Sequence, residues 1–214
     1  SELKARGGGL DSAVEAIREK CSSGEWAEIE PRWDRPTLQR YFVEAYSGDL
    51  CGEVYGFEPE TVTGPGLIHM DRPILDRAFL PSGMKFGIAT GRTGGEMRVG
   101  VRLMCWSDLF SDGAIVSEDD GFRKPDPGIL RLAVERLGAE KTVYIGDTPD
   151  DLLTVRRWNE AGGGMLSCQV LTGHFRGAEA VARFAEQGAD LIADNVNAGL
   201  AVIGRCLEGT ECPE

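Results

Sequence analysis

After Gly83 the sequence alternates short apolar runs with helical segments, and this alternation constrains the fold more than any other feature. The pattern is typical of βαβ units, in which parallel strands form a sheet that helices cover. Helices are predicted at 126–137, with end signals at Asp126 and Gly138, and at 178–187. Strands are predicted at residues 84–89, 114–117, 142–145, 165–171 and 191–193. We therefore predict an α/β fold with a doubly wound parallel sheet.

The N-terminal region has a different, helical character. Ser12 followed by Glu15 has the spacing of a capping box, which predicts a helix starting there. A second helix is predicted at 37–46, with Leu38 and Phe42 on its inward face. We predict a small helical domain over residues 1–80, an α/β core over 81–208 and a tail over 209–214.

Charge and apolar patterning exclude several classes of function. The net charge of −12 disfavours binding to nucleic acid and to anionic membranes. No apolar run approaches the ~18 residues that a membrane span requires. The cysteines lack the paired spacing of a metal site, so we predict reduced thiols in a cytoplasmic protein. They are Cys21, Cys51, Cys105, Cys168, Cys206 and Cys212.

Two segments have the chemistry to bind a phosphate. The first predicted strand ends in Thr90-Gly91-Arg92, which places a hydroxyl and backbone N–H groups where a phosphate oxygen could be held. Lys124 stands just before the predicted helix at 126–137 and could neutralise phosphate charge there. Alone, each is better explained by an ordinary turn or by a solvated loop lysine than by phosphate binding.

A third segment has the chemistry to bind a metal ion. The strand at 142–145 leads into Gly146-Asp147, with Asp150 and Asp151 close behind. Carboxylate oxygens suit Mg²⁺, which retains part of its water shell in proteins. The same acidic residues could instead only cap the next helix. All three segments in this order are unlikely to occur together by chance, so the combination is stronger evidence for a functional site than any one segment.

In order and spacing, these motifs resemble the haloacid dehalogenase superfamily over residues 82–208, most closely a subfamily IA branch related to phosphoglycolate phosphatases. The resemblance implies a Rossmann-like core, a helical cap and Mg²⁺-dependent hydrolysis of a small phosphorylated metabolite through an aspartyl-phosphate. It implies that Thr90, with Gly91 and Arg92, binds the phosphoryl group and that Lys124 steadies the phosphate and the nucleophile. Asp147 would ligate Mg²⁺, and Asp151 would be the second acid, as a ligand or beside the ligands.

The family's first motif, an apolar strand ending in Asp-x-Asp, is missing from this sequence. Asp11 is the only early candidate by position, and no second acid follows it. In the family this strand lies between those that end at Thr90 and at Asp147, so its absence would leave two unpaired edges. We therefore expect the sequence to begin inside the cap, with the nucleophile upstream of Ser1, removed or supplied by another chain.

Two other readings follow from the same motifs. A dehalogenase would displace halide without a metal ion, and the acidic cluster around Asp147 argues against that branch because it would repel an acid substrate. A catalytically inert relative would retain the fold as a binding or structural subunit. That alternative predicts that Thr90, Lys124 and Asp147 do not converge on one pocket, or that no Mg²⁺ binds there.

Overall fold

The structure is a computed structural model that describes residues 9–32, 34–66, 75–110, 112–173, 175–207 and 209. The chain divides into two compact units between Leu67 and Ile68. The predicted boundary near residue 80 stays a prediction. The assignment of the first unit as a cap stays a prediction.

The N-terminal unit is helical. Its helices are α1 (Gly9–Lys20), α2 (Ser23–Ile29), α3 (Arg35–Ser47) and α4 (Cys51–Tyr55), with a 3-10 turn at Glu30–Arg32. The predicted cap at Ser12 is wrong, because α1 begins at Gly9 and Ser12 lies inside it. The capping box is at Ser22 and Glu25 instead, where each side chain accepts a hydrogen bond from the other residue's backbone N–H.

Helix α3 buries a polar side chain rather than the predicted apolar face. Leu38 is 40% exposed and Phe42 57% exposed, whereas Glu44 is fully buried. The Glu44 carboxylate accepts hydrogen bonds from the backbone N–H groups of Glu60 and Thr61, at 3.1 and 2.8 Å. These bonds compensate for burial of the charge, and they explain why the apolar pattern alone predicted the wrong face.

The described residues of the C-terminal unit form five parallel strands in two sheets, which confirms the predicted α/β class. One sheet pairs β1 (Ile88–Ala89) with β2 (Ile115–Val116), and the other has the order β3-β4-β5. The strands of this second, three-stranded sheet are β3 (Thr142–Gly146), β4 (Met165–Val170) and β5 (Leu191–Ala193).

Helices follow the strands, as βαβ connections require. They are α5 (Gly94–Leu103), α6 (Gly128–Leu137), α7 (Pro149–Glu160), α8 (Gly177–Glu186) and α9 (Val196–Leu207), with 3-10 turns at Arg77–Phe79, Asp112–Ala114 and Glu118–Asp120. Helix α6 begins two residues after the predicted Asp126 cap, whose carboxylate accepts a hydrogen bond from the N–H of Gly128 at 2.8 Å. It ends at Gly138 in the left-handed conformation, as the sequence predicts.

A gap separates the two sheets between β1 and β3. In the described part of the chain, no strand pairs with the edge of β1 opposite β2 or with the edge of β3 opposite β4. The strand predicted at 84–89 is regular only at Ile88–Ala89.

The cysteines differ from the prediction at one position. Free thiols are present at Cys21, Cys51, Cys105 and Cys168, but Cys206 is disulfide-bonded. The prediction of reduced thiols is therefore wrong for Cys206, because spacing that argues against a metal site does not exclude a disulfide. Among the described residues, no helix is both long and apolar enough to cross a membrane.

Candidate active site

The loop after β1 carries the predicted phosphate-binding residues. The Thr90 N–H donates to the carbonyl of Val116 at 2.9 Å, which extends the β1–β2 pairing by one residue. The Thr90 hydroxyl accepts a bond from the N–H of Arg92 at 3.2 Å, so the chain turns directly after the strand. Thr90 is half-buried, while Gly91 and Arg92 are exposed. This arrangement leaves the turn open to a ligand.

Lys124 forms a buried ion pair with Asp151. The Lys124 ammonium donates to Asp151 Oδ1 at 2.6 Å, and the two side chains are 18% and 5% exposed. The ammonium also donates to the hydroxyl of Tyr144. An ammonium carries three protons, so within the described residues one proton of Lys124 remains for another acceptor.

The carboxylate of Asp151 accepts hydrogen bonds on both oxygens. Oδ1 accepts a hydrogen bond from the Lys124 ammonium and lies 3.1 Å from the Tyr144 hydroxyl. Oδ2 accepts three hydrogen bonds: from the N–H of Asp147 at 3.1 Å, from the N–H of Thr148 at 3.0 Å and from the Thr148 hydroxyl at 2.7 Å. Burial raises the pKa of Asp151, but the Lys124 charge and the hydrogen bonds outweigh burial and hold that pKa below its ordinary value. Asp151 is therefore an ionised anchor beneath the β3–α7 turn.

Tyr144 is a member of this cluster that the sequence motifs missed. Its hydroxyl lies 2.9 Å from the carbonyl of Ala89, the residue before Thr90. Burial raises the pKa of Tyr144 well above its ordinary value, and the nearby Asp151 charge adds to that rise. The hydroxyl therefore stays protonated and links the end of β1 to Lys124. A tyrosine in an apolar strand gives no motif signal, so only the fold reveals this role.

Asp147 follows β3 and is half-buried. A Cβ atom on Gly173, in the loop after β4, would stand 2.0 Å from Asp147 Oδ2. A Cβ atom on Gly146 would stand 2.5 Å from the Cβ of Asp151. Both glycines are therefore required by close packing against the two aspartates, and no sequence motif singles out Gly173.

The predicted residues divide into two groups. Lys124 and the backbone N–H of Asp147 each contact the carboxylate of Asp151, and Tyr144 links the end of β1 to Lys124 and Asp151. Gly91 and Arg92 form the exposed part of the neighbouring turn, and Asp150 is exposed at the start of α7. The structure leaves the functional roles of these residues as predictions.

One carboxylate has the character expected of a magnesium ligand. Among the described residues, no group of three or more His, Cys, Asp or Glu side chains could hold a metal ion. Mg²⁺ commonly takes only one or two protein carboxylates and completes its shell with water and substrate phosphate. Asp147 at the carboxyl end of β3 fits that requirement, whereas both Asp151 oxygens already accept several hydrogen bonds.

Two family models match the C-terminal unit. One describes a haloacid dehalogenase-like hydrolase and matches residues 75–157, and the other describes a HAD-like hydrolase and matches residues 121–198. Together they extend over more than half of the chain and include Thr90, Lys124 and Asp147. Searches of curated proteins and of solved structures found no match.

The parallel α/β architecture and the two matches define a Rossmann-like hydrolase. The chain belongs to the haloacid dehalogenase superfamily. The predicted superfamily and fold class are thereby confirmed, and hydrolase chemistry is supported at the level of the family. The closer relation to phosphoglycolate phosphatases stays a prediction.

Proposed function

We propose that this protein is a Mg²⁺-dependent phosphatase that cleaves a small phosphate monoester through an aspartyl-phosphate, with the nucleophilic aspartate outside residues 1–214. The observation that carries the proposal is the cluster of Lys124, Asp151 and Asp147 beside the Thr90 turn. A cation, a hydroxyl and a metal-binding carboxylate are the groups that phosphoryl transfer needs around phosphorus.

Lys124 stabilises the negative charge on the phosphoryl oxygens. Its ammonium is held by Asp151 and Tyr144, so its position is fixed before substrate binds. Preorganised donors lose little free energy to reorganisation during the reaction, which makes such a cation effective. The remaining ammonium proton is available to a phosphate oxygen or to the nucleophile.

The Thr90 turn binds the phosphoryl group from the side of β1. The Thr90 hydroxyl can donate its proton to phosphate while it accepts the bond from the Arg92 N–H. The N–H of Gly91, a residue exposed at this turn, is a second donor of the right type. Arg92 adds positive charge near the same turn, in a chain whose overall charge of −12 otherwise disfavours anions.

Asp147 would hold Mg²⁺, with Asp151 as the residue that positions Asp147 and Lys124. When bound, Mg²⁺ offsets the charge that gathers on the phosphoryl oxygens. Asp151 acts on Asp147 through its hydrogen bond from the Asp147 backbone N–H. Asp151 as a direct ligand is the alternative, and it would require loss of some of its present hydrogen bonds.

The reaction proceeds in two displacements. The external aspartate attacks phosphorus, the P–O bond to the leaving alcohol breaks, and an acid donates a proton to that oxygen. The conjugate base of that acid then takes a proton from water, the water oxygen attacks phosphorus and the P–O bond to the aspartate breaks, which releases inorganic phosphate and restores both the carboxylate and the acid. Contact of both Lys124 and the Asp147 backbone with the same Asp151 carboxylate supports this function over the inert-subunit alternative, which predicts that the site residues do not share a pocket.

Hydrolysis of p-nitrophenyl phosphate tests the proposal. We expect the native polypeptide to be active with Mg²⁺ and inactive after EDTA, and residues 1–214 alone to be inactive. Thr90→Val should lower kcat/KM about a hundredfold by removing a donor to phosphate, whereas Thr172→Val, in an exposed loop position, should not. Equal activity with and without Mg²⁺, or full activity in Thr90→Val, would contradict the proposed function.

A further inference from the structure

Arg176 occupies a position where an arginine does not stabilise the local fold. It is the N-cap residue of helix α8, and its side chain makes no capping hydrogen bond. N-cap positions favour Ser, Thr, Asp and Asn, whose side-chain oxygens accept hydrogen bonds from the first N–H groups of a helix. The positive end of the helix dipole also disfavours a cation there. Departures from local rules of this kind are expected at functional sites.

The side chain of Arg176 instead contacts the turn after β4. Its Nε–H donates to the carbonyl of Gly173, three residues earlier, at 2.6 Å. In the part of the chain that the structure describes, no other group donates to that carbonyl. A hydrogen bond from a charged donor is shorter and stronger than one between neutral groups. The guanidinium therefore holds the backbone of Gly173 in place.

Gly173 is the residue of this turn that touches the candidate active site. The Cβ atom that it lacks would stand 2.0 Å from Asp147 Oδ2, so the Gly173 backbone is one wall of the space that holds this carboxylate. From this contact, the 2.6 Å hydrogen bond and standard backbone dimensions, Arg176 Nε lies within about 8 Å of Asp147 Oδ2. A single residue therefore connects the guanidinium to the carboxylate.

Two other contacts hold the ends of this turn but not Gly173 itself. The Leu171 N–H donates to a carbonyl of β5 at 3.1 Å, which continues the β4–β5 pairing by one residue. The Phe175 ring packs in an apolar cluster, with its centroid 6.0 Å from that of Phe184. Both contacts would remain without the Arg176 side chain. Loss of that side chain should therefore loosen the middle of the turn and leave the loop folded.

We propose that Arg176 is a positioning residue for the Mg²⁺ site, because it holds Gly173 against Asp147 and so fixes the orientation of the carboxylate. The inference rests on the proposed function, which takes Asp147 as the ligand of Mg²⁺. Residues that orient a metal ligand typically change metal affinity by about 10–100-fold. We expect the lower end of that range, because Arg176 acts through the backbone and is itself exposed.

The sign of the effect separates positioning from electrostatics. A cation near a metal ion repels it, so loss of the Arg176 charge alone would tighten metal binding. Loss of the held turn would weaken metal binding instead. Arg176→Ser is the informative change, because serine removes the guanidinium and supplies a preferred N-cap side chain to α8. Metal affinity should therefore fall while stability is kept or raised, which a merely structural role does not produce.

Mn²⁺ binding to the native polypeptide is the readout, measured from the electron paramagnetic resonance signal of the free ion. We expect Arg176→Ser to raise the Kd for Mn²⁺ about tenfold and to leave amide exchange at β4 no faster than in wild type. Arg131→Ser, at an exposed arginine on α6, removes the same charge and should leave the Kd unchanged. An unchanged or lower Kd in Arg176→Ser would overturn the proposal. So would a higher Kd with faster β4 exchange, because that combination indicates a general loss of structure.

A double-mutant cycle tests the route through Gly173. Gly173→Ala should itself weaken Mn²⁺ binding, and the addition of Arg176→Ser should weaken it little further, because the turn is already displaced. Additive effects of the two changes would overturn the proposal. A wild-type polypeptide that neither binds Mn²⁺ nor hydrolyses p-nitrophenyl phosphate would refute the proposed function, and this inference with it. Wild-type binding and hydrolysis with an unaffected Arg176→Ser variant would overturn this inference alone.

Discussion

Replacement of Lys124 by methionine should destabilise the C-terminal unit by about 3 kcal/mol. The change leaves the Asp151 carboxylate, 5% exposed, without its cation, and loss of one partner of a buried pair costs about 3–5 kcal/mol. The lower end applies for two reasons. The Lys124 side chain is 18% exposed, and Asp151 keeps its bonds from Asp147 and Thr148.

Amide exchange at β4, the central strand of its sheet, measures this change without interference from the N-terminal unit. A loss of about 3 kcal/mol corresponds to about hundredfold faster exchange of the slowest β4 amides. Lys141→Met, at an exposed lysine, is the matched control and should change stability by less than about 0.5 kcal/mol. A loss below about 1 kcal/mol in Lys124→Met would refute the reasoning.

Two further measurements separate the charge effect from packing. Adding Asp151→Asn to Lys124→Met removes the unpaired charge, so the double variant should be more stable than the sum of the two single losses predicts. Because the folded pKa of Asp151 lies below its ordinary value of 3.8, the pair stabilises the fold above that pH. The difference between wild type and Lys124→Met should therefore shrink as the pH falls below about 4.

Three other changes test separate parts of the structure. Gly173→Ala should displace the Asp147 carboxylate and lower phosphatase activity about tenfold or more, while Gly164→Ala, which meets open space, should not. Tyr144→Phe should cost about 1–2 kcal/mol in β4 exchange, because it leaves a buried carbonyl without its donor. The Thr61 hydroxyl and other donors lower the pKa of Glu44 to about 2. Glu44→Gln should therefore destabilise the N-terminal unit above pH ~4.5, measured by urea unfolding. The difference in stability between the two proteins should be lost as the pH falls toward 2.

The regular elements of the C-terminal unit were predictable because their signals are local. Gly138 ends α6 in the left-handed conformation that glycine favours, and the five apolar runs all contain strands. The acidic residues after β3 were interpreted as a possible helix cap, and Asp151 does form a capping box with Thr148 at the start of α7. Spacing along the chain was sufficient for each of these features.

Other features were not predictable because they depend on contacts between distant segments. The role of Tyr144 requires Ala89, fifty-five positions earlier, and that of Gly173 requires Asp147 on another strand. The buried Glu44 was missed for the same reason, since its donors come from residues 60 and 61. Apolar periodicity does not report such hydrogen bonds, and it placed Leu38 on the wrong face of α3.

The central claim is that the nucleophile of this hydrolase lies outside residues 1–214. Its most direct test is to mix the native polypeptide with p-nitrophenyl phosphate and Mg²⁺, trap the acyl phosphate by borohydride reduction, and map the modified residue by mass spectrometry. We predict a modified aspartate at the end of an apolar segment upstream of Ser1. Modification of Asp147 or of any other residue within 1–214 would contradict the account, as would turnover without a trapped aspartate.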